Sequence, residues 1–106
     1  MQNIFLLFKF AIDIKYDNMS TKEKLLNRFL SMPKDFTYEE ATKLLKDFGY
    51  SEVPTGKTGG SRVRFLNKQF PEYPIKFHKP HPENRLKPYV LAIIKTTLID
   101  CGLIDD

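Results

Sequence analysis

Two short stretches carry residue types that can hold a polyanion and move a proton. In Gly59-Gly60-Ser61-Arg62-Val63-Arg64-Phe65 a glycine-rich turn runs into a segment with arginine on alternate positions. Further along, His78-Lys79-Pro80-His81-Pro82 contains both histidines of the chain. An imidazole ordinarily titrates near neutrality, so it can take a proton from a ribose 2′-hydroxyl or give one to a leaving 5′-oxygen. Fixed cations beside it hold phosphate and stabilise the charge that gathers on phosphorus. His78 is therefore the candidate general base or acid, with Arg62 beside it at the reacting phosphate and Arg64 as a second phosphate clamp. Lys76 and Lys79 would position a nucleic-acid backbone, joined by Lys57, Ser61, His81, Arg85 and Lys87.

The distribution of charge agrees with that grouping. The chain carries a net +4, yet residues 55 to 88 alone hold eight lysines and arginines against two glutamates. That segment is +6 and the remainder −2, so the positive charge lies where the histidines are. A concentrated basic patch steers polyanions and releases counterions from phosphates. A solvated surface loop carries the same signature, so charge alone does not separate the two.

Several other chemistries find little support. Thr55-Gly56-Lys57-Thr58-Gly59-Gly60 has the composition of a phosphate-binding loop but lacks the upstream glycine of G-x-x-x-x-G-K-[ST], which argues against a nucleotide cofactor. Two histidines with only Glu83 nearby make a poor zinc site, so no metal is expected. Cys101, the single cysteine, excludes an internal disulfide and reads as a small core residue. No serine–histidine–aspartate pattern or carboxylate pair stands out.

The 106 residues have room for one domain. The apolar run Ile4-Phe5-Leu6-Leu7-Phe8 is broken by Lys9 and is too short to span a bilayer. Met1-Gln2-Asn3 lacks the positive charge of a secretion signal. The expectation is a cytoplasmic protein with no membrane partner. Residues 1 to 18 would be a weakly ordered extension, or a consequence of start-site choice, and the domain would occupy 19 to 106.

Positioning the candidate residues falls to six elements. Ser20-Thr21-Lys22-Glu23 has capping-box spacing, and the helix after it sets Leu25, Leu26, Phe29 and Leu30 on one face until Pro33 limits it. Thr37-Tyr38-Glu39-Glu40 repeats the box; Ala41, Leu44, Leu45 and Phe48 form the stripe, and Gly49 stops the helix. The charged faces of both helices read as solvated. Three short strands follow, over 50–54, 61–66 and 73–78. Strict alternation in the latter two turns Val63, Phe65, Tyr73, Ile75 and Phe77 inward. The same alternation turns Arg62, Arg64, Lys76 and His78 outward. A last helix opens at Lys87-Pro88, with Val90, Leu91, Ile94, Leu98 and Cys101 inside and Gly102 at its end. The class is α+β: a three-stranded antiparallel sheet with helices on one face, in the order α-α-β-β-β-α.

Residues 37 to 103 resemble the HicA family of toxins from type II toxin–antitoxin systems. The resemblance rests on Leu44-Leu45-Lys46-Asp47-Phe48-Gly49-Tyr50, on Gly60-Ser61-Arg62-Val63-Arg64-Phe65, on a basic third strand containing histidine, and on Leu86-Lys87-Pro88 at the last helix. It covers about two-thirds of the chain, with the motifs in family order. It implies a double-stranded-RNA-binding-like fold, metal-independent endoribonuclease activity on mRNA (an mRNA interferase), and a HicB-type antitoxin that covers the site. The family places its catalytic histidine directly after the Gly-Ser pair, where this chain has Arg62. Arginine stays protonated and is no ordinary general base. Either His78 supplies proton transfer from the neighbouring strand, or the protein is a non-catalytic RNA-binding or antitoxin-binding module.

Overall fold

The computed structural model describes residues 20–55 and 60–105; the expected N-terminal extension lies outside them. The Ser20 hydroxyl accepts the backbone N–H of Glu23 at 3.2 Å and so starts α1, Thr21–Leu30. Thr37 and Glu40 form a complete capping box for α2, Tyr38–Asp47, each side chain accepting the other's backbone N–H at 3.1 Å. Gly49 then takes φ +94°, a left-handed turn that glycine adopts without steric cost, and directs the chain into the sheet. The strands are β1, Tyr50–Val53, β2, Arg62–Asn67, and β3, Ile75–His78, joined antiparallel in that order. The last helix, α3, spans Pro88–Asp100, with proline in the first turn, where its missing N–H costs nothing.

The fold class is the α+β, α-α-β-β-β-α arrangement that the alternation predicts. Along β2 burial alternates with side-chain parity: Val63 and Phe65 are buried, while Arg62 and Arg64 are exposed. Along β3, Ile75 and Phe77 are buried, while Lys76 and His78 are exposed. The inner residues join Phe29, Phe36, Leu44, Leu45, Leu91, Ile94 and Leu98 in one core. Phe65 and Phe77 stack there with ring centroids 5.8 Å apart. Among the described residues all three helices lie on this side and none covers the other face of the sheet.

Several details differ from the sequence-based expectation. The third strand begins at Ile75, because Pro74 has no N–H for the ladder and residues 70–73 close a turn, Tyr73 N–H donating to the Phe70 carbonyl at 3.0 Å. Tyr73 is consequently exposed, and its carbonyl accepts the Tyr50 hydroxyl at 2.8 Å. Leu30 is exposed at the end of α1, and Cys101 is half-buried just past α3. The helix faces are not simply solvated either. Arg28 of α1 grips both carboxylate oxygens of Glu40 on α2, at 2.7 and 3.1 Å, and reaches the Asp35 carbonyl at 3.2 Å. Its guanidinium also lies 5.5 Å from the centre of the Phe36 ring.

Two polar groups inside the domain went unnoticed in the sequence. Asn67 is buried; its amide donates to the Phe48 carbonyl at 2.9 Å and its oxygen accepts the Gln69 N–H at 3.0 Å. It therefore joins the end of α2 to the turn leaving β2. Tyr50 is buried as well, and burial, then the neighbouring Cys101, pushes its phenol above the usual range. Among the described residues no helix is long and apolar enough to cross a membrane.

Replacing Asn67 by alanine orphans the Phe48 carbonyl and the Gln69 N–H, so a loss of about 1–3 kcal/mol is expected, read from the urea midpoint. The Arg28 hydrogen bond is the largest cause holding the Glu40 carboxyl below its ordinary value of 4.5. A carboxyl lowered by folding binds fewer protons in the native state than in the unfolded one. Its stabilisation is therefore present above the unfolded value and lost as pH falls through the folded one. Glu40→Gln should cost about 1 kcal/mol at neutral pH, and the deficit should close in urea titrations run progressively below pH 4.5.

Candidate nucleic-acid interface

Register brings the candidate residues together. Arg62 lies directly opposite His78 across the β2–β3 pair, and Arg64 lies opposite Lys76. Cross-strand partners on one face have Cβ atoms about 4.5–5.5 Å apart, so the four side chains form two adjacent rows. Val53 of β1 stands on the other side of Arg64. The remaining outward strand positions are Ser51 and Leu66, so the face has no carboxylate among its strand residues. Glu52, the acid of β1, points to the helix side and accepts a hydrogen bond from the Tyr38 hydroxyl. The result is an exposed, one-signed surface, which concentrates a polyanion.

Beyond the strand ends the ladder continues by one bond. Lys79 N–H donates to the Ser61 carbonyl at 2.7 Å, holding the start of β2 against the end of β3. Gly60 at φ +59° turns the chain into that position. The Ser61 hydroxyl comes to lie 3.3 Å from His78 Nδ1. His78 and His81 together line a recess of about 100 Å³ with Lys79, Lys87 and Tyr89, where the sheet edge meets the start of α3. Next to it is a cavity of about 350 Å³ bordered by Lys34, His81, Arg85 and Lys87.

Not every expected contact joins the sheet face. Lys79 turns to the helix side, its Nζ 5.0 Å from the centre of the Tyr38 ring. The Tyr38 ring in turn meets Phe77 edge-on at 6.3 Å. Arg85 is paired with Glu83, with Nε donating to Oε2 at 2.9 Å, so much of its charge is answered within the loop. Its backbone bridges to Thr37, and Leu86 N–H donates to the Phe36 carbonyl at 2.8 Å, anchoring this loop to the start of α2. Lys87 is the N-cap residue of α3 and its side chain is exposed. Lys57 lies outside the described residues. Lys34 was not singled out in the sequence; only the fold brings it beside His81 and Lys87. Among the described residues no group of three or more His, Cys, Asp or Glu side chains is placed to hold a metal ion.

No protein-family model, curated protein or solved structure matches this chain.

If Arg64 and Lys76 each contact a phosphate, removing either by alanine should weaken binding of a short single-stranded RNA uniformly across sequences. The slope of log K against log salt should become shallower by about 0.7 per lost contact. Arg85→Ala, with its partner Glu83 left behind, should change that slope less. Binding isotherms at several salt concentrations measure both.

Proposed function

We propose that this protein is a HicA-like toxin: an mRNA endoribonuclease that works without a metal and is held in check by a HicB-like antitoxin. The observation that carries this reading is the pairing of Arg62 with His78, both exposed, on a sheet face whose described strand residues include no carboxylate. His78 takes the proton of the ribose 2′-hydroxyl while the 2′-oxygen bonds to phosphorus and the P–O5′ bond breaks. The leaving 5′-oxygen takes a proton from solvent water and protonated His78 returns its proton to the hydroxide left behind, so the net change moves one proton from O2′ to O5′ and leaves a cyclic phosphate. Arg62 and Arg64 neutralise charge on the phosphate oxygens, and an arginine's planar fork suits that task better than a lysine. The double-stranded-RNA-binding-like character of the fold and a cytoplasmic site of action belong to the same proposal.

A second reading is favoured by one specific residue. Arg62 occupies the position after Gly60-Ser61 where the family keeps its histidine. A chain that lost catalysis there would remain an RNA-binding or antitoxin-binding module with an intact basic face.

One experiment separates the two. Purified full-length protein is incubated with labelled mRNA in EDTA, beside His78→Ala. The toxin reading expects cutting by the parent chain and a loss of at least about 100-fold in the variant, the usual weight of a general acid–base group. Undiminished cutting by His78→Ala would remove His78 from the mechanism. A folded parent chain that shifts RNA without cutting it would establish the binding module instead.

A further inference from the structure

The sequence assigns Ser61 to contact with RNA, but its hydroxyl is directed at a histidine. Three features of the backbone fix it there. Gly60 supplies the left-handed turn at φ +59°. The Ser61 carbonyl accepts the Lys79 N–H at 2.7 Å, and Arg62 is in register with His78. Ser61 Oγ thereby reaches Nδ1 of His78 at 3.3 Å, and Nε2 of that ring has no hydrogen-bond partner among the described residues. Which nitrogen of a neutral imidazole carries the proton is decided by the bond its other nitrogen makes.

We propose that Ser61 is a positioning residue that accepts a hydrogen bond from Nδ1–H of His78, leaving Nε2 as the one atom through which that ring exchanges protons. A serine hydroxyl has two acceptor lone pairs and can serve here without any partner of its own. The arrangement has a chemical advantage. A protonated imidazole donates from both nitrogens, so an Nδ1–H bond to Oγ persists whether the ring is neutral or charged. Proton transfer at Nε2 then needs no tautomer exchange and no rotation of the ring. The alternative, with Oγ–H donating to Nδ1, would have to break and reverse each time the ring gained a proton.

The effect on catalysis rests on the ribonuclease reading, whereas the tautomer does not, and the test keeps them apart. The full chain is labelled with ¹⁵N, and ring nitrogen shifts are recorded without RNA at a pH where the imidazoles are neutral. The chain has only two histidines, so His78 signals are assigned by their loss in His78→Ala. The expected result is a neutral His78 ring protonated at Nδ1, shifting toward the Nε2–H form in Ser61→Ala and retained in Ser61→Thr. A ring protonated at Nε2 in the parent chain, or one unchanged by Ser61→Ala in a folded variant, would overturn the proposal. On RNA, Ser61→Ala should lower kcat about tenfold with KM within about twofold, and Ser61→Thr should recover most of it. Raised KM with unchanged kcat would return Ser61 to plain RNA contact and overturn its positioning role. An Nδ1–H ring in a chain that cuts nothing supports the Ser61–His78 bond and defeats the ribonuclease reading alone.

Discussion

The register between β2 and β3 is the constraint on which everything else depends. Val63 pairs with Phe77 and Phe65 with Ile75, and all four side chains are buried beneath the helices. Because side chains alternate with a period of two, a slip of one residue in one strand would send its apolar pair to water and its basic pair into the core. Fully burying a large apolar side chain is worth about 1.5–3 kcal/mol, and burying an unpaired cation costs more than such a contact returns. The hydrophobic core thus enforces the register, and the register sets Arg62 against His78 and Arg64 against Lys76. The basic face is a consequence of apolar packing on the opposite side of the same strands.

A small set of polar contacts holds this sheet to its helices and turns. Arg28 and Glu40 link α1 to α2 through two hydrogen bonds, while the capping box at Thr37 occupies the same carboxylate. Asn67 ties the end of β2 to the end of α2, and Gly49 must approach it closely: a Cβ there would come within 3.3 Å of the amide nitrogen. The Tyr50 hydroxyl reaches across to the Tyr73 carbonyl and holds the turn between β2 and β3. Gly49, Tyr50 and Asn67 lie at the end of the sheet away from His78, whereas the start of α2 lies near it, with Lys79 over the Tyr38 ring and Thr37 bridged to Arg85. The Asn67 and Tyr50 contacts are therefore separated from the candidate chemistry along the strands, while the start of α2 supports the loop that carries His81.

Much of the fold was legible because local signals agreed with one another. Both hydroxyl caps, the glycines after α2 and α3, the Pro88 start and the alternation of β2 and β3 each specify short-range geometry, and each forms. The errors have physical causes too. Tyr73 fits the alternation but sits before Pro74, whose missing N–H delays the strand. Asn67 continues the inward parity of Val63 and Phe65, which is the signal that marks it as buried, though its polarity argues for the surface. Lys79 belongs to the basic cluster in composition, yet parity turns it toward Tyr38.

The sequence by itself determined the element order, the apolar stripes and the outward row of Arg62, Arg64, Lys76 and His78, since periodicity and capping act over a few residues. Only the tertiary structure decided which of these residues meet. The Ser61–His78 contact, the Arg85–Glu83 pair, the Lys79–Tyr38 stack and the cavity shared by Lys34, His81 and Lys87 depend on strand pairing, loop closure and helix docking. Ser61 and His78 are separated by a whole hairpin, and no local preference encodes their approach. It follows from burying Val63, Phe65, Ile75 and Phe77 together, because chain connectivity then leaves one place for the residues at the open end of the ladder.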